Sequence, residues 1–236
     1  MEPPSGTALT VIMVCLTVVT GMVEAVSFLA LGQVFAAMQT GNLLFLGFGV
    51  AGQGGLPVVG TAVSLGSFAL GAALGARWES GLAAREQRWF PAGLLTEAAL
   101  LAGAAVAAWG SAPAPGLPLG RRYLVIGLMA LAMGMRNVTA IRAAPPDLTS
   151  TVETRTMTAL VSGSVLGQDK RLGYGSHAAV RRLASVGAMF AGGLLGAALL
   201  GLGTRPALVL LLVAVFLAGT AAVVPALVRR DRHTEG

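Results

Sequence analysis

The sequence predicts an all-α fold: a polytopic membrane helix bundle of six spanning helices with two broken or re-entrant polar segments, built from an internal repeat. Three observations predict it. Of the 236 residues, 55% are apolar and 11% are charged, and the mean hydropathy is +0.78, which is typical of an integral membrane protein. Several charge-free stretches approach the roughly 20 residues that a helix needs to cross about 30 Å of hydrocarbon. A polar motif also occurs twice.

The six predicted spans form a single transmembrane domain over residues 1–236. Three of the stretches carry no charged residue, and the others contain isolated ionisable side chains such as Glu24 and Glu97. No basic residue precedes the first stretch, so we interpret it as a spanning helix rather than a removed signal peptide. In chain order the stretches are 7–31, 56–76, 90–118, 123–141, 183–204 and 206–228.

Two further stretches, 33–54 and 147–167, are apolar but interrupted by polar groups. If both span, the protein has eight helices and its basic residues divide nine to five between the two sides. If both enter and leave by the same face, six helices span and the division is eleven to three. Because cytoplasmic loops collect Lys and Arg, the charges favour six spans in a bacterial inner (plasma) membrane with both termini cytoplasmic. The eight-helix alternative stays open.

The repeat relates residues 8–110 to residues 121–228. A Gly-Met pair followed by a polar residue, Glu24 or Asn137, recurs after 113 residues. Each copy is followed by a Thr-x-(Asn/Thr) step, which is Thr40-Gly41-Asn42 in the first and Thr154-Arg155-Thr156 in the second. Three spans in each half would place the halves in opposite orientation, as in inverted-repeat transporters.

The duplication extends to two glycine-rich spans. Gly66, Gly71 and Gly75 recur at an offset of 121 as Gly187, Gly192 and Gly196. Small residues four apart let helix backbones approach closely in a membrane, so we expect packing surfaces rather than a ligand site. The surfaces Gly71/Gly75 and Gly192/Gly196 are candidates for packing within the molecule or in a homo-oligomer.

The polar segments favour helices that begin inside the membrane. In the second copy, two prolines at 145–146 end one helix and the Ser150–Glu153 capping box starts another. In the first copy, Thr40 is a candidate cap and Gly41 could supply the freedom for a break. The exposed N–H groups of such a helix start would bind an anion or a carbonyl oxygen. Irregular backbone at this depth must face protein or a water-filled cavity.

Ionisable groups in hydrocarbon usually face a cavity and a partner, so we predict a polar site between the halves near the membrane midplane. A structural alternative is an ion pair of Glu24 with Arg136 or Arg155 that only fixes the helices. For Glu97 we favour a structural or interfacial role. The predicted substrate-binding residues are Glu24, Thr40, Gly41, Asn42, Arg136, Asn137, Thr154, Arg155 and Thr156.

Other protein classes are disfavoured. The net charge of +6 comes from Arg and Lys in loops, whereas a nucleic-acid-binding protein concentrates them on a soluble face. One cysteine, Cys15, excludes an internal disulfide, and His177 and His233 lie in basic segments without metal-ligating neighbours. No nucleophile–base pair suggests an enzyme. We therefore predict no catalytic residue, metal or cofactor, and expect lipid and a small solute as partners.

The motifs resemble the signature of the YoaK-type family of bacterial membrane proteins, a domain of unknown function. The resemblance rests on GMVEAVSFLALG from residue 21, TGNLLFLG from residue 40, MGMRN from residue 133 and the Thr-rich stretch 149–160. It implies a multi-pass inner-membrane protein without established activity. This chain has Glu24 where the family usually has Asp, Arg136 where it has Gln and Arg155 where it has Gly, so the second-half site is more basic than is typical.

Two functions from different classes follow. The first is a secondary transporter or channel for a small polar or anionic solute, with proton coupling through Glu24. The second is a non-transporting membrane scaffold or regulatory partner, whose intramembrane polar residues only hold helices together.

Overall fold

The computed structural model describes residues 6–109, 117–143, 156–158, 161 and 175–234, with backbone alone for 175–178 and 229–234. All regular structure in this part of the chain is helical, which confirms the predicted all-α class. The helices are α1 (Gly6–Ala25, continued by a π-helical turn, Val26–Ala30), α2 (Gln39–Val50), α3 (Val58–Ala84), α4 (Trp89–Ala107), α5 (Leu119–Ala143), α6 (Gly175–Gly201) and α7 (Pro206–Thr234).

Six of the described helices are long and apolar enough to cross a membrane, and all six overlap the predicted spans. Proline marks several helix starts: Pro206 is the first residue of α7 and Pro91 lies in the first turn of α4, where a missing N–H costs no hydrogen bond. Large boundary differences occur at the ends of α4 and α3. The predicted span 90–118 is too long, because α4 ends at Ala107. The predicted span 56–76 is too short, because α3 continues to Ala84 and includes the buried Glu79.

The first polar segment, 33–54, contains only one helix, α2, of 12 residues. At 1.5 Å per residue α2 is about 18 Å long, too short to cross about 30 Å of hydrocarbon. This length agrees with a re-entrant first segment. Of the second polar segment, 147–167, only 156–158 and 161 lie within the described residues, so its path stays a prediction.

The spanning helices associate in pairs that combine the two predicted halves. Helix α3 packs along α5, α1 packs along α6, and α4 packs against both α7 and α5. The short helix α2 packs against α3. Each glycine-rich helix, α3 or α6, therefore contacts the first spanning helix of the other half rather than of its own.

Glycine permits both of these cross-half contacts. A Cβ on Gly71 would overlap the backbone carbonyl of Leu131 in α5, and a Cβ on Gly192 would overlap that of Val18 in α1. Gly71 and Gly192 differ by the offset of 121, and Val18 and Leu131 by the offset of 113. The same contact thus occurs twice between residues that the sequence repeat relates.

The next helical turn repeats the relationship. A Cβ on Gly75 would lie 3.1 Å from the Cα of Met135, and a Cβ on Gly196 would lie 3.0 Å from the Cα of Met22. The predicted glycine packing surfaces are therefore used within the molecule. A homo-oligomer through the same faces would need surface that these contacts already occupy. The opposite orientation of the two halves stays a prediction.

Candidate functional site

Glu24 binds the segment that leads into α2. Its carboxylate accepts hydrogen bonds from three consecutive backbone N–H groups: Ala36 at 3.0 Å, Ala37 at 2.6 Å and Met38 at 2.8 Å. Successive backbone N–H groups form an anion-binding concavity, and a helix N-terminus adds a partial positive charge. Glu24 is itself buried, with 6% of its surface exposed, so a carboxylate of α1 already occupies the anion position that the sequence predicts here.

The chain reverses direction between α1 and α2 through a tight turn. Gly32 and Gln33 both adopt positive φ, at 101° and 60°, a conformation that glycine tolerates best. The guanidinium of Arg122 in α5 donates to the carbonyl of Leu31 at 2.5 Å. A Cβ on Gly32 would overlap this guanidinium, so glycine serves both the turn and the contact.

Two predictions about the start of α2 are wrong. Thr40 is not the cap, because α2 begins at Gln39 after Met38 and has no local side-chain cap. The carboxylate of Glu24 instead binds the N–H groups of the three residues before α2, a contact that local sequence cannot show. Gly41 does not form the break, because it lies inside α2 and the positive φ values belong to Gly32 and Gln33. Gly41 instead makes room for the ring of Phe35, which a Cβ would approach to 2.9 Å.

Asn42 binds the backbone of Phe35 on both sides. Its Oδ1 accepts from the Phe35 N–H at 2.9 Å, and its Nδ2 donates to the Phe35 carbonyl at 2.7 Å. Ser64 of α3 donates to the same carbonyl at 2.6 Å and accepts from Asn42 at 3.0 Å. Asn42 and Ser64 are both fully buried, so this network satisfies irregular backbone inside the protein.

Arg136 is paired with Glu97 rather than with Glu24. Its Nε and Nη2 donate to the two carboxylate oxygens of Glu97, both at 2.6 Å, in the bidentate geometry typical of strong Arg–carboxylate pairs. Nη1 donates to the carbonyl of Leu16 at 2.9 Å and lies 3.4 Å from the hydroxyl of Thr20. The pair joins α4, α5 and α1, in agreement with a structural role for Glu97.

The contacts of Glu24 and those of the Arg136–Glu97 pair lie along one face of α1. Leu16, Thr20 and Glu24 are four residues apart, a spacing that places them one above another on a helix. Leu16 and Thr20 contact Arg136, and Glu24 contacts the segment before α2. The structure therefore brings Glu24, Asn42 and Arg136 to neighbouring positions in the interior.

The other predicted site residues are less closely joined. Thr40 is exposed on α2. Thr156 is buried, with 7% of its surface exposed, and Asn137 is partly buried and has an interaction partner. Thr154 and Arg155 lie outside the described residues, as does the Ser150–Glu153 box. The assignment of all nine residues to substrate binding stays a prediction.

Sequence reasoning missed a third cluster, around Glu79. The Thr139 hydroxyl of α5 donates a short hydrogen bond to Glu79 Oε1, and Arg142 lies 3.8 Å from Glu79 Oε2. Glu79 is fully buried. It lies three residues beyond the charge-free stretch 56–76 and therefore outside the predicted span. The spacing of Arg136, Thr139 and Arg142 by three residues on α5 was the available signal.

An apolar groove of about 470 Å³ lies between α1 and α7. Cys15, Val19, Met22, Leu212 and Phe216 are among the residues that line it. Among the residues that the structure describes, no three His, Cys, Asp or Glu side chains are grouped closely enough to hold a metal ion. The side chains of Glu24, Asn42, Arg136 and Glu97 donate and accept hydrogen bonds.

Comparison with known proteins identifies one matching protein family. A family model described as "Protein of unknown function (DUF1275)" matches residues 12–223, which is most of the chain. No curated protein and no solved structure matches the chain.

Proposed function

We propose, from the premise that the chain belongs to the DUF1275 family of unknown function, that it is a secondary transporter or channel for a small polar or anionic solute. The site lies where the two halves meet, near the midplane of a bacterial inner membrane. Glu24, Thr40, Asn42 and Arg136, with Asn137, Thr154 and Arg155 of the second half, are the proposed solute-binding residues.

The observation that carries the proposal is the binding of Glu24 by three backbone N–H groups beside a helix start. Transporters bind anionic groups of their substrates at the N-termini of interrupted helices near the bilayer midplane. In this protein the donors surround a carboxylate of the protein itself. A solute carboxylate or another small anion would use the same donors when Glu24 turns away or becomes protonated.

The helix pairing supports the same function. Gly71 and Gly192 bring α3 onto α5 and α1 onto α6 through equivalent contacts. Two similar, closely packed pairs can move against each other as units, and alternating access in repeat transporters is largely such rocking around a fixed site.

The alternative is a non-transporting scaffold or regulatory partner. The observation that favours it is the bonding of the polar atoms of Glu24, Asn42 and Arg136 to groups of the protein itself. Such networks also fix helix positions without binding any solute.

Binding of solutes separates the two functions. Thermal unfolding of the purified protein is measured against a panel of small carboxylates, inorganic anions and neutral polar solutes, because a solute that binds only the native state raises the Tm. The Thr40→Val variant removes an exposed hydroxyl at the start of α2. The matched control is Thr220→Val, which removes an exposed hydroxyl from α7, where it bonds its own helix.

We expect at least one solute to raise the Tm of the wild type and of T220V, and to lose this effect in T40V. A panel without any effect on the wild type, while T40V unfolds normally, contradicts transport and supports the scaffold. A solute effect that persists in T40V removes Thr40 from the site.

A further inference from the structure

Glu79 is a buried carboxylate outside the proposed solute site. Its side chain is 0% exposed, and among the residues that the structure describes Oε2 has no hydrogen-bond partner. The ion pair with Arg142 is long, at 3.8 Å, and Arg142 is itself 31% exposed. A charged carboxylate inside a protein normally has both oxygens satisfied, so this arrangement leaves one oxygen available for a proton.

Thr139 can bond Glu79 in either protonation state. Its hydroxyl has one proton and two acceptors within reach, Glu79 Oε1 and the backbone carbonyl of Met135 at 3.3 Å. With Glu79 ionised, the hydroxyl donates to the carboxylate. With Glu79 protonated on Oε2, the hydroxyl still donates to Oε1; with the proton on Oε1, the carboxyl donates to Thr139 Oγ1 and the hydroxyl turns to Met135. Every Thr139 hydrogen bond is thus kept when the proton arrives.

The cluster lies between the protein surface and the interior pair. Glu79 is five residues from the end of α3, and Thr139 is four residues from the end of α5. At 1.5 Å per residue both are about 6–8 Å from these ends, whereas Arg136 is about 10 Å deep. Arg142, Thr139 and Arg136 follow one face of α5 at intervals of three residues. Polar groups thus extend from a partly exposed arginine to the buried Glu97.

The other charged groups near Glu79 are accounted for. On α4, the neighbouring position is Gly93, where a Cβ would lie 3.0 Å from Glu79 Oε1, and Glu97 is held by Arg136. Helix α2 carries no charged residue. On α3 itself, Arg77 is exposed, and so are Arg85, Glu86 and Arg88 of the connection between α3 and α4. Arg142 is therefore the cation closest to the carboxylate among the described side chains.

We propose that Glu79 is a reversible proton-binding site, reached from the side of Arg142. One proton leaves a hydronium ion in water and forms an O–H bond on the carboxylate, and no other covalent bond changes. Uptake neutralises Glu79 and releases Arg142 from the ion pair, so this one contact between α3 and α5 depends on protonation. Its use as the coupling proton rests on the proposed function; the protonation itself does not.

Glu79 fits this task better than Glu24. Both oxygens of Glu24 accept backbone hydrogen bonds, which favour the charged form. A backbone N–H cannot turn to another acceptor when the carboxylate gains a proton, whereas the Thr139 hydroxyl can. Protonation of Glu24 would therefore weaken its three backbone hydrogen bonds, whereas protonation of Glu79 on Oε2 leaves the hydrogen bond from Thr139 in place.

Infrared spectroscopy of the protein in lipid vesicles tests the site directly. The C=O stretching band of protonated carboxylic acids is followed from acidic to alkaline buffer in the wild type, Glu79→Gln and the matched control Glu24→Gln. We expect a band that disappears on alkalinisation, is absent from E79Q and is kept in E24Q. The proposal is overturned if E79Q keeps the whole band, or if E24Q loses it instead.

A second variant keeps the test decisive if E79Q does not fold. Arg142→Gln removes the positive charge that favours ionised Glu79, so the midpoint of the band should move to higher pH; an unchanged midpoint contradicts the site. Thr139→Ser should keep the wild-type midpoint, because it retains the hydroxyl. If the band behaves as expected but no solute raises the Tm, the proton site stands and transport fails. If solutes bind but no band belongs to Glu79, transport stands without this site.

Discussion

Arg136 and Glu97 bind each other through two parallel hydrogen bonds, each 2.6 Å long, with almost no exposed surface. The offset of 113 relates Arg136 to Val23. An offset of 116, which also relates Leu101-Ala102-Gly103 to Leu217-Ala218-Gly219, relates Glu97 to Val213. The charged pair thus takes one residue from each half, and the equivalent positions hold two buried apolar residues. The bundle can be held together in either way, which leads to the first prediction.

Glu97→Gln should be strongly destabilising, because it leaves the Arg136 charge buried without its counterion. Removing one partner of a buried pair costs about 3–5 kcal/mol, whereas replacing both by apolar groups is often neutral. The double variant Glu97→Leu with Arg136→Met should therefore recover most of the loss. The free energy of unfolding in mixed micelles measures both. A double variant as unstable as E97Q would contradict this interpretation.

Gly71→Ala should destabilise the protein, because a methyl group there overlaps the Leu131 carbonyl. Overpacking of this kind costs about 1–3 kcal/mol or more. The matched control is Gly66→Ala on the same helix, where a Cβ meets nothing within 4 Å, and alanine should be neutral or stabilise by up to about 1 kcal/mol.

The same contrast should hold in the other half for Gly192→Ala against Gly187→Ala, since only Gly192 contacts backbone. Thermal unfolding of all four variants measures the effect. Equal Tm values for the two members of each pair would argue against close helix contact at Gly71 and Gly192.

Glu24→Gln should loosen the segment before α2. The glutamine amide offers one acceptor oxygen in place of two, and its NH₂ group faces backbone donors, so at least one of the three N–H bonds is lost. Leaving a buried donor unsatisfied costs about 1–3 kcal/mol. The reporter is a Met38→Cys variant in which Cys15 has been replaced by serine. Its thiol should react faster with a polar thiol reagent when Glu24→Gln is also present than when Glu24 is kept. Glu86→Gln, which changes an exposed carboxylate, is the control and should leave the rate unchanged.

A re-entrant path for α2, which its length of 12 residues favours, predicts that residues before and after it face the same side of the membrane. Single cysteines at Gln33 and Gln53, both exposed, should be labelled by an impermeant reagent from one side of oriented vesicles. Labelling from opposite sides would mean that α2 crosses the membrane and would restore an additional span.

The apolar composition and the lengths of the apolar stretches were enough to predict an all-α bundle of six spanning helices from the sequence. The number of long apolar helices depends only on how many residues cross the hydrocarbon and which charges interrupt them, and both are local properties. The offsets of 113 and 121 identified the glycines that pack, although not their partners. The importance of Glu24 and Asn42 also followed from local sequence, because polar groups inside apolar segments need partners.

Partnership between distant residues was decided only by the tertiary structure. Nothing near Glu24 in sequence indicates that its carboxylate binds the segment before α2, and nothing near Arg136 selects Glu97 over Glu24. Hydrogen bonds and ion pairs act over about 3–4 Å, so they depend on which helices become neighbours. The packing of α3 along α5 and of α1 along α6 determines which polar groups meet. The same packing buries Glu79, which lies outside the span that the sequence predicts.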